Sequence, residues 1–344
     1  MNEVKTVRKN LDILDVTKFI LSFFVVAIHA EGLPSALYPW LRIAVPLFFV
    51  ISSFLLFFGI QGKDSDDQKR AIVRYVKRNF ILYAVWFVLL LPFTYIARRS
   101  WFDDGILLGI FRFLRGLILG STFRASWFIT AGVLAVLLIY AASHKIPRSV
   151  LTVGAALCYL VCCLVTSYRG LVEGTPFSVL LDVSKHAFDG MATSFVHALF
   201  WVMLGKLFAE NRIRISSVMA AFGCCVGAVL LYVEYWLTSH YLQAASSASC
   251  YMTLIPFTLC LFAWLIRINR LQIRFAKKLR NVSTLIYVSH CAVLTCFSVV
   301  IDRLLDGDFG VLIYFLSCIS VTVIGFLLVN LSEKKGWAFF KKLW

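Results

Sequence analysis

Three ionisable residues, Asp15, Lys18 and His29, interrupt the first apolar stretch of the chain, LDILDVTKFILSFFVVAIHA. A helix turns about 100° per residue, so Lys18 and His29 return to nearly one azimuth, and Asp15 falls within about 40° of His29. The three share one stripe. An imidazole titrates near neutrality, which suits a group that must take a proton from a hydroxyl and give it back. Two plainer readings stay open: a histidine resting on a backbone carbonyl, and mutual neutralisation of Asp15 and Lys18. Against lipid each of these groups would cost on the order of a few kcal/mol, so the stripe must face a protein interior or a wet cavity.

The remaining sequence supplies the elements that hold such a stripe. Hydrophobic residues make up 60% of the 344 positions and charged ones 15%, with a mean hydropathy of +0.84. These values exclude an ordinary soluble globular protein. Apolar stretches of roughly spanning length recur at about 12–30, 41–60, 80–97, 126–142, 149–167, 192–209, 216–237, 249–266, 282–301 and 309–330. The pattern predicts an all-α, polytopic bundle of about ten transmembrane helices, one domain over 1–344 with no separate soluble domain. Lys- and Arg-rich connections such as KDSDDQKRAIVRYVKRN and RINRLQIRFAKKLRN alternate with poorer ones, which by the positive-inside rule puts both termini in the cytoplasm. The basic stretch before the first apolar run would also suit a secretory signal. That run is too long, contains Asp15 and Lys18, and lacks a small-residue cleavage site, so it reads as the first span.

The net charge of +16 does not point to nucleic acid, because the basic residues sit in short segments between apolar spans. The ten cysteines lie almost all within apolar runs and show no metal-ligand spacing, so free thiols and no metal are expected. One segment resists the topology. Residues 98–124 fall where an outer loop belongs yet carry Arg98, Arg99, Arg112, Arg115 and Arg124. Their apolar middle suggests an interfacial or re-entrant helix covering a cavity, with a miscounted crossing as the alternative. The other sizeable outer loop holds Glu173, Asp182, His186 and Asp189, and both loops are candidates for an outward-facing acceptor site.

Four patterns, in order, resemble the acyltransferase-3 family of integral membrane acyltransferases. Leu14-Asp15-x-x-Lys18 with His29 eleven residues later is similar to the family's opening helix. Val45-Pro46-Leu47-Phe48-Phe49-Val50-Ile51-Ser52-Ser53-Phe54 is similar to its second-helix signature. Arg74-Tyr75-Val76-Lys77-Arg78 supplies an R-x-x-x-R on the first cytoplasmic connection. Ser126-Trp127-Phe128 and Ser283 to His290, STLIYVSH, match its later elements. Two positions depart from the pattern. Lys18 stands where the family has Arg, which keeps charge but loses the bidentate fork, and Ser53 replaces a Gly, which narrows any close helix approach there.

The resemblance implies transfer of an acyl group, acetyl first among them, from cytoplasmic acyl-CoA to a hydroxyl of an extracytoplasmic or lipid-linked glycan, in the inner membrane of a bacterium. On this reading His29 is the general base, and Lys18 binds the pantetheine or diphosphate of the donor while Asp15 fixes its position. Arg74 and Arg78, four apart on one helical face, clamp the phosphates of coenzyme A; the alternative is that they are positive-inside anchors meeting lipid headgroups. Ser52 and Ser53 offer hydrogen bonds in the channel, Trp127 walls it or packs as an interfacial belt residue, and Tyr287 and His290 line the same cavity. Direct attack on the thioester is favoured over an acyl-enzyme, since no activated nucleophile stands out. Glu234, His186, His197 and His240 have no readable partner. The main rival is a transporter-like module for a small polar solute or glycan, which would use a similar cavity.

Overall fold

The computed structural model describes residues 11–188, 190–242, 249–268, 272–305 and 307–344. Asp189, one of the acidic residues expected in the outer loop, lies outside them. The described residues form helices and turns, with no strand among them. The first helix, α1 (Asp12–His29), buries Leu14, Leu21 and Val25 along one side. α2 (Ala44–Ile60) is buried almost all round, as expected of an apolar helix at the centre of a bundle.

α3 (Ser65–Leu89) starts on Asp64, whose carboxylate accepts from the Asp67 amide at 2.7 Å. Such a cap satisfies an otherwise orphaned amide, and the acidic first turn suits the helix dipole. α3 stops at Leu89, and the helical run from Leu91 leaves at 76°. Pro92 in the first turn of α4 (Leu91–Arg98) lacks the amide that would continue the ladder, which accounts for the break.

Residues 98–124 do contain a short helix with an apolar face left exposed. α5 (Ile106–Leu119) has 14 residues, too few to cross, and leaves Leu107, Phe111 and Leu114 exposed. Its other face closes on the preceding turn, where a Cβ at Gly109 would lie 2.2 Å from the Phe102 ring and one at Gly116 2.6 Å from Trp101. Arg112 turns inward to Asp104 at 2.6 Å and the Trp101 carbonyl at 3.0 Å.

The chain continues through α6 (Trp127–Ala142), α7 (Arg148–Leu164), α8 (Val179–Phe188), α9 (Phe195–Ala209), α10 (Ser217–Tyr241), α11 (Leu254–Leu265), α12 (Ala276–Leu304) and α13 (Gly310–Leu331). Among the described residues, five helical stretches are long and apolar enough to span a bilayer: Ser35–Ile60, Pro176–Ala209, Ser217–Tyr241, Ala276–Leu304 and Gly310–Leu331; the bent run through α3 and α4 makes six. This is the architecture of a multi-pass membrane protein. It is fewer than the ten crossings predicted, although each predicted stretch does contain a helix. α6, α7 and α11 have 16, 17 and 12 residues, and α1 carries Asp12, Asp15 and Lys18 within its 18.

Two apolar cores organise the bundle. One gathers α2, α6, α7, α9 and α11; the other joins α3, α12, α13 and the His29 end of α1. Tyr287 packs against both. α1 and α12 run parallel: at one end Asp12 accepts from the Ile273 amide at 2.9 Å, and at the other the rings of His29 and His290 meet.

Candidate active site

Between the two cores lies a cavity of about 560 Å³ to which α1, α2, α3, α6 and α12 all contribute. Its charged lining is wholly cationic: Lys18, Arg74, Arg78 and Arg280. The four-residue spacing of Arg74 and Arg78 puts both on one face of α3, with Tyr75 and Asn79 beside them. From α12 come Arg280, Ser283, Thr284 and Tyr287, an i, i+3, i+4, i+7 row that a helix necessarily brings to one side. Clustered guanidinium and ammonium groups of this kind repel one another and favour a polyanion that can satisfy several at once.

Asp15 meets Arg280 on α12 at 3.6 Å and is absent from the residues lining the cavity. Its contact therefore ties α1 to α12 and offsets part of the cationic charge. The two adjacent serines diverge, as neighbours on a helix must. Ser52 lines the cavity. Ser53 is buried and donates to the Phe49 carbonyl at 2.7 Å, on the side facing Gly205 of α9. Trp127 lies away from the cavity lining, stacked 6.0 Å from the ring of His197; Phe128, the next residue, lines the cavity in its place.

At the other end of α1 the rings of His29 and His290 are 5.1 Å apart. His290 is completely buried, whereas His29 is exposed. The Nδ1 of His290 donates to the Tyr287 carbonyl at 2.6 Å, and its Nε2 lies 3.2 Å from Cys291 Sγ. Tyr287 in turn donates its hydroxyl to the carbonyl of Ala125. Ala125 has a φ of +68°, a left-handed conformation that alanine rarely adopts. The turn is held by Ser126 Oγ on the Thr122 amide at 3.1 Å, Ser121 Oγ on the Trp127 amide at 3.2 Å, and Tyr83 against the Thr122 hydroxyl at 2.6 Å. Strain kept by so many bonds is characteristic of functional positions.

That turn also carries Arg124, which lines a second cavity of about 720 Å³ together with Arg98, Cys291 and Thr295. The rest of this lining is mostly apolar, from α4 and α12. The loop after His29 is locked close by: a Cβ on Gly310 would fall 2.0 Å from the Glu31 carbonyl oxygen, and Gly32, at φ +76°, faces Gly310. The donor atoms of His29, His290 and Cys291 lie within 4.8 Å of one another. A tetrahedral zinc site needs donors about 3.5 Å apart, so these three would have to close up to hold a metal.

The residues without a readable partner find structural ones. Glu234 accepts from the Tyr168 hydroxyl at 2.5 Å, the Met252 amide at 2.6 Å, and the Thr253 amide at 2.8 Å and hydroxyl. It holds the Met252–Thr253 turn that leads into α11. His197 donates to the Ala192 carbonyl at 2.8 Å, His186 to the Asp182 carbonyl at 2.9 Å, and His240 stacks on Trp236 at 5.3 Å. Two site residues escaped the sequence reading. Arg280 precedes the Ser283 element by one turn, and its helical spacing to Ser283, Thr284 and Tyr287 was the available signal. Cys291 sits in an apolar run and gave none.

No solved structure matches this chain. The serine/alanine racemase of Enterococcus gallinarum is 23% identical over 233 residues, which cover 64% of this chain but 32% of the racemase. The chain thus aligns with about a third of that relative's length, and the name of the whole racemase is no evidence for the aligned third. The family description "Acyltransferase domain" matches residues 11–330, nearly every element described above, and the chain belongs to the acyltransferase-3 family.

Proposed function

We propose that the protein moves an acyl group, acetyl first among them, from cytoplasmic acyl-CoA to a hydroxyl of an extracytoplasmic or lipid-linked glycan. The observation that carries this reading is that one parallel helix pair, α1 and α12, bears a cationic cavity at one end and an imidazole pair at the other. Lys18, Arg74, Arg78 and Arg280 hold the phosphates of the donor, and its thioester arm reaches along the stripe toward His29, about 16 Å away along the helix axis. His29 removes the acceptor's hydroxyl proton as the oxygen attacks the acyl carbon. The cytoplasmic mouth is then the Lys18 end, with both chain termini on that side.

The rival transport reading shares the cavity but makes no use of a thioester. Purified protein given radiolabelled acetyl-CoA and membrane glycan from the host separates the two. Label passing to the glycan with release of free CoA supports acyl transfer. Retention of all label on CoA, across acyl chain lengths, overturns it.

A further inference from the structure

We propose that Cys291 carries the acyl group between donor and acceptor, as a thioester made and broken with His290 as its base. This rests on the acyl-transfer reading and adds an intermediate to it. The first support is orientation. A carbonyl oxygen can only accept, so the 2.6 Å contact with Tyr287 fixes the proton of neutral His290 on Nδ1. Nε2 is left with its lone pair, and the Cys291 thiol, 3.2 Å away, donates to it. Nucleophile, base and orienting group thus stand in sequence, the arrangement that activates a weak nucleophile. Among the described cysteines, Cys291 is the one with an imidazole at this distance.

The second support is position. Tyr287 lines the cationic cavity and Cys291 the second cavity, four residues and about 6 Å apart along α12. A thiol at that point takes the acyl group from one chamber and presents it to the other. The third is charge: Arg124 lines the same cavity as Cys291, where a cation favours the oxyanion that forms when the thiol attacks.

The step balances without an outside reagent. Cys291 gives its proton to His290 Nε2 as Sγ attacks the acyl carbonyl carbon of acyl-CoA. The carbon–sulfur bond to CoA breaks, and CoA leaves as the thiol with the proton from His290. One thioester has replaced another. The acceptor hydroxyl then attacks the acyl-Cys291 carbonyl, His29 takes the hydroxyl proton, the carbon–sulfur bond to Cys291 breaks, and the proton passes to the departing sulfur.

The test uses the purified full-length protein with radiolabelled acetyl-CoA and no acceptor, quenched in acid. The expected result is label on the protein that neutral hydroxylamine removes and peptide mapping places on Cys291, with an equivalent release of CoA. Cys291→Ala should lose the label and at least about 100-fold of transfer to glycan, while His29→Ala should keep the label and fail to pass it on. Cys291→Ser, nearly isosteric, guards against a folding defect and should acylate slowly through a hydroxylamine-resistant ester. Transfer at the wild-type rate by Cys291→Ala, or label on another residue, overturns the proposal and leaves direct transfer standing. Wild-type protein that neither releases CoA nor acylates glycan overturns the acyl-transfer reading, and this proposal with it.

Discussion

The hydroxyl of Ser53 on α2 occupies the space that a side chain at Gly205 of α9 would need: a Cβ there would lie 2.0 Å from Ser53 Oγ and 2.6 Å from the Val50 carbonyl. The small residue that lets these helices approach here is Gly205 on α9. Gly205→Ala should therefore destabilise the bundle by about 1–3 kcal/mol, the usual cost of overpacking. Thermal unfolding in detergent measures it. Adding Ser53→Gly should recover part of the loss, and no recovery would place the clash on the Val50 backbone.

Arg280→Gln should raise the apparent KM for acyl-CoA about tenfold or more, as expected for loss of a charge-assisted contact of about 1.5–3 kcal/mol. Arg78→Gln and Arg74→Gln should raise it less, since both are exposed and more screened. Asp15→Asn removes the 3.6 Å partner of Arg280 and should also change KM rather than kcat. Donor titrations identical to wild type would leave the arginines as topology anchors.

His29→Ala should lower transfer by about 10²–10⁴, the range of a general base, with donor affinity unchanged because the ring lies outside the lining of the cationic cavity. Comparable glycan acylation in cells carrying the variant would remove His29 from the mechanism.

Gly310→Ala places a methyl group 2.0 Å from the Glu31 carbonyl, where only backbone can yield. The loop after His29 must shift, so kcat should fall with little change in donor KM. A raised KM at constant kcat would mean that the loop shapes the donor cavity instead.

The topology gives a last prediction. In a background freed of reactive native thiols, Lys63→Cys should resist an impermeant thiol reagent in intact cells, and Glu173→Cys should be labelled. Both positions are exposed. The opposite pattern would turn the cationic cavity away from cytoplasmic coenzyme A.

Much of this arrangement was legible in the sequence, because length and azimuth are local properties of a helix. The stripe of Lys18 and His29 and the Arg74 and Arg78 face follow from spacing alone; Tyr287 lines the cationic cavity as expected, but His290, expected beside it, lies outside that lining because it is turned into the packed core. Arg280 was hidden because a basic connection already explains an arginine there. Cys291 was hidden because a thiol within an apolar run is indistinguishable from a small hydrophobe until its neighbours are known. Ser53 and Trp127 look equivalent to their neighbours Ser52 and Phe128 in sequence; one step of helix rotation sends them elsewhere. The number of crossings was the weakest inference, since a stretch of apolar residues does not say where its helix stops.

Glu234 bears on how the protein is built. α11, at 12 residues, is about 18 Å long, short of the ~30 Å hydrocarbon slab, so one of its ends lies at a depth where water is scarce. The amides of Met252 and Thr253, in the turn that leads into it, are satisfied by a carboxylate from α10. A segment of this kind has no stable state alone during biogenesis, because unpaired amides at that depth cost several kcal/mol or so each. α10 and α11 must therefore enter the bilayer together, as one insertion unit, with the glutamate already in place.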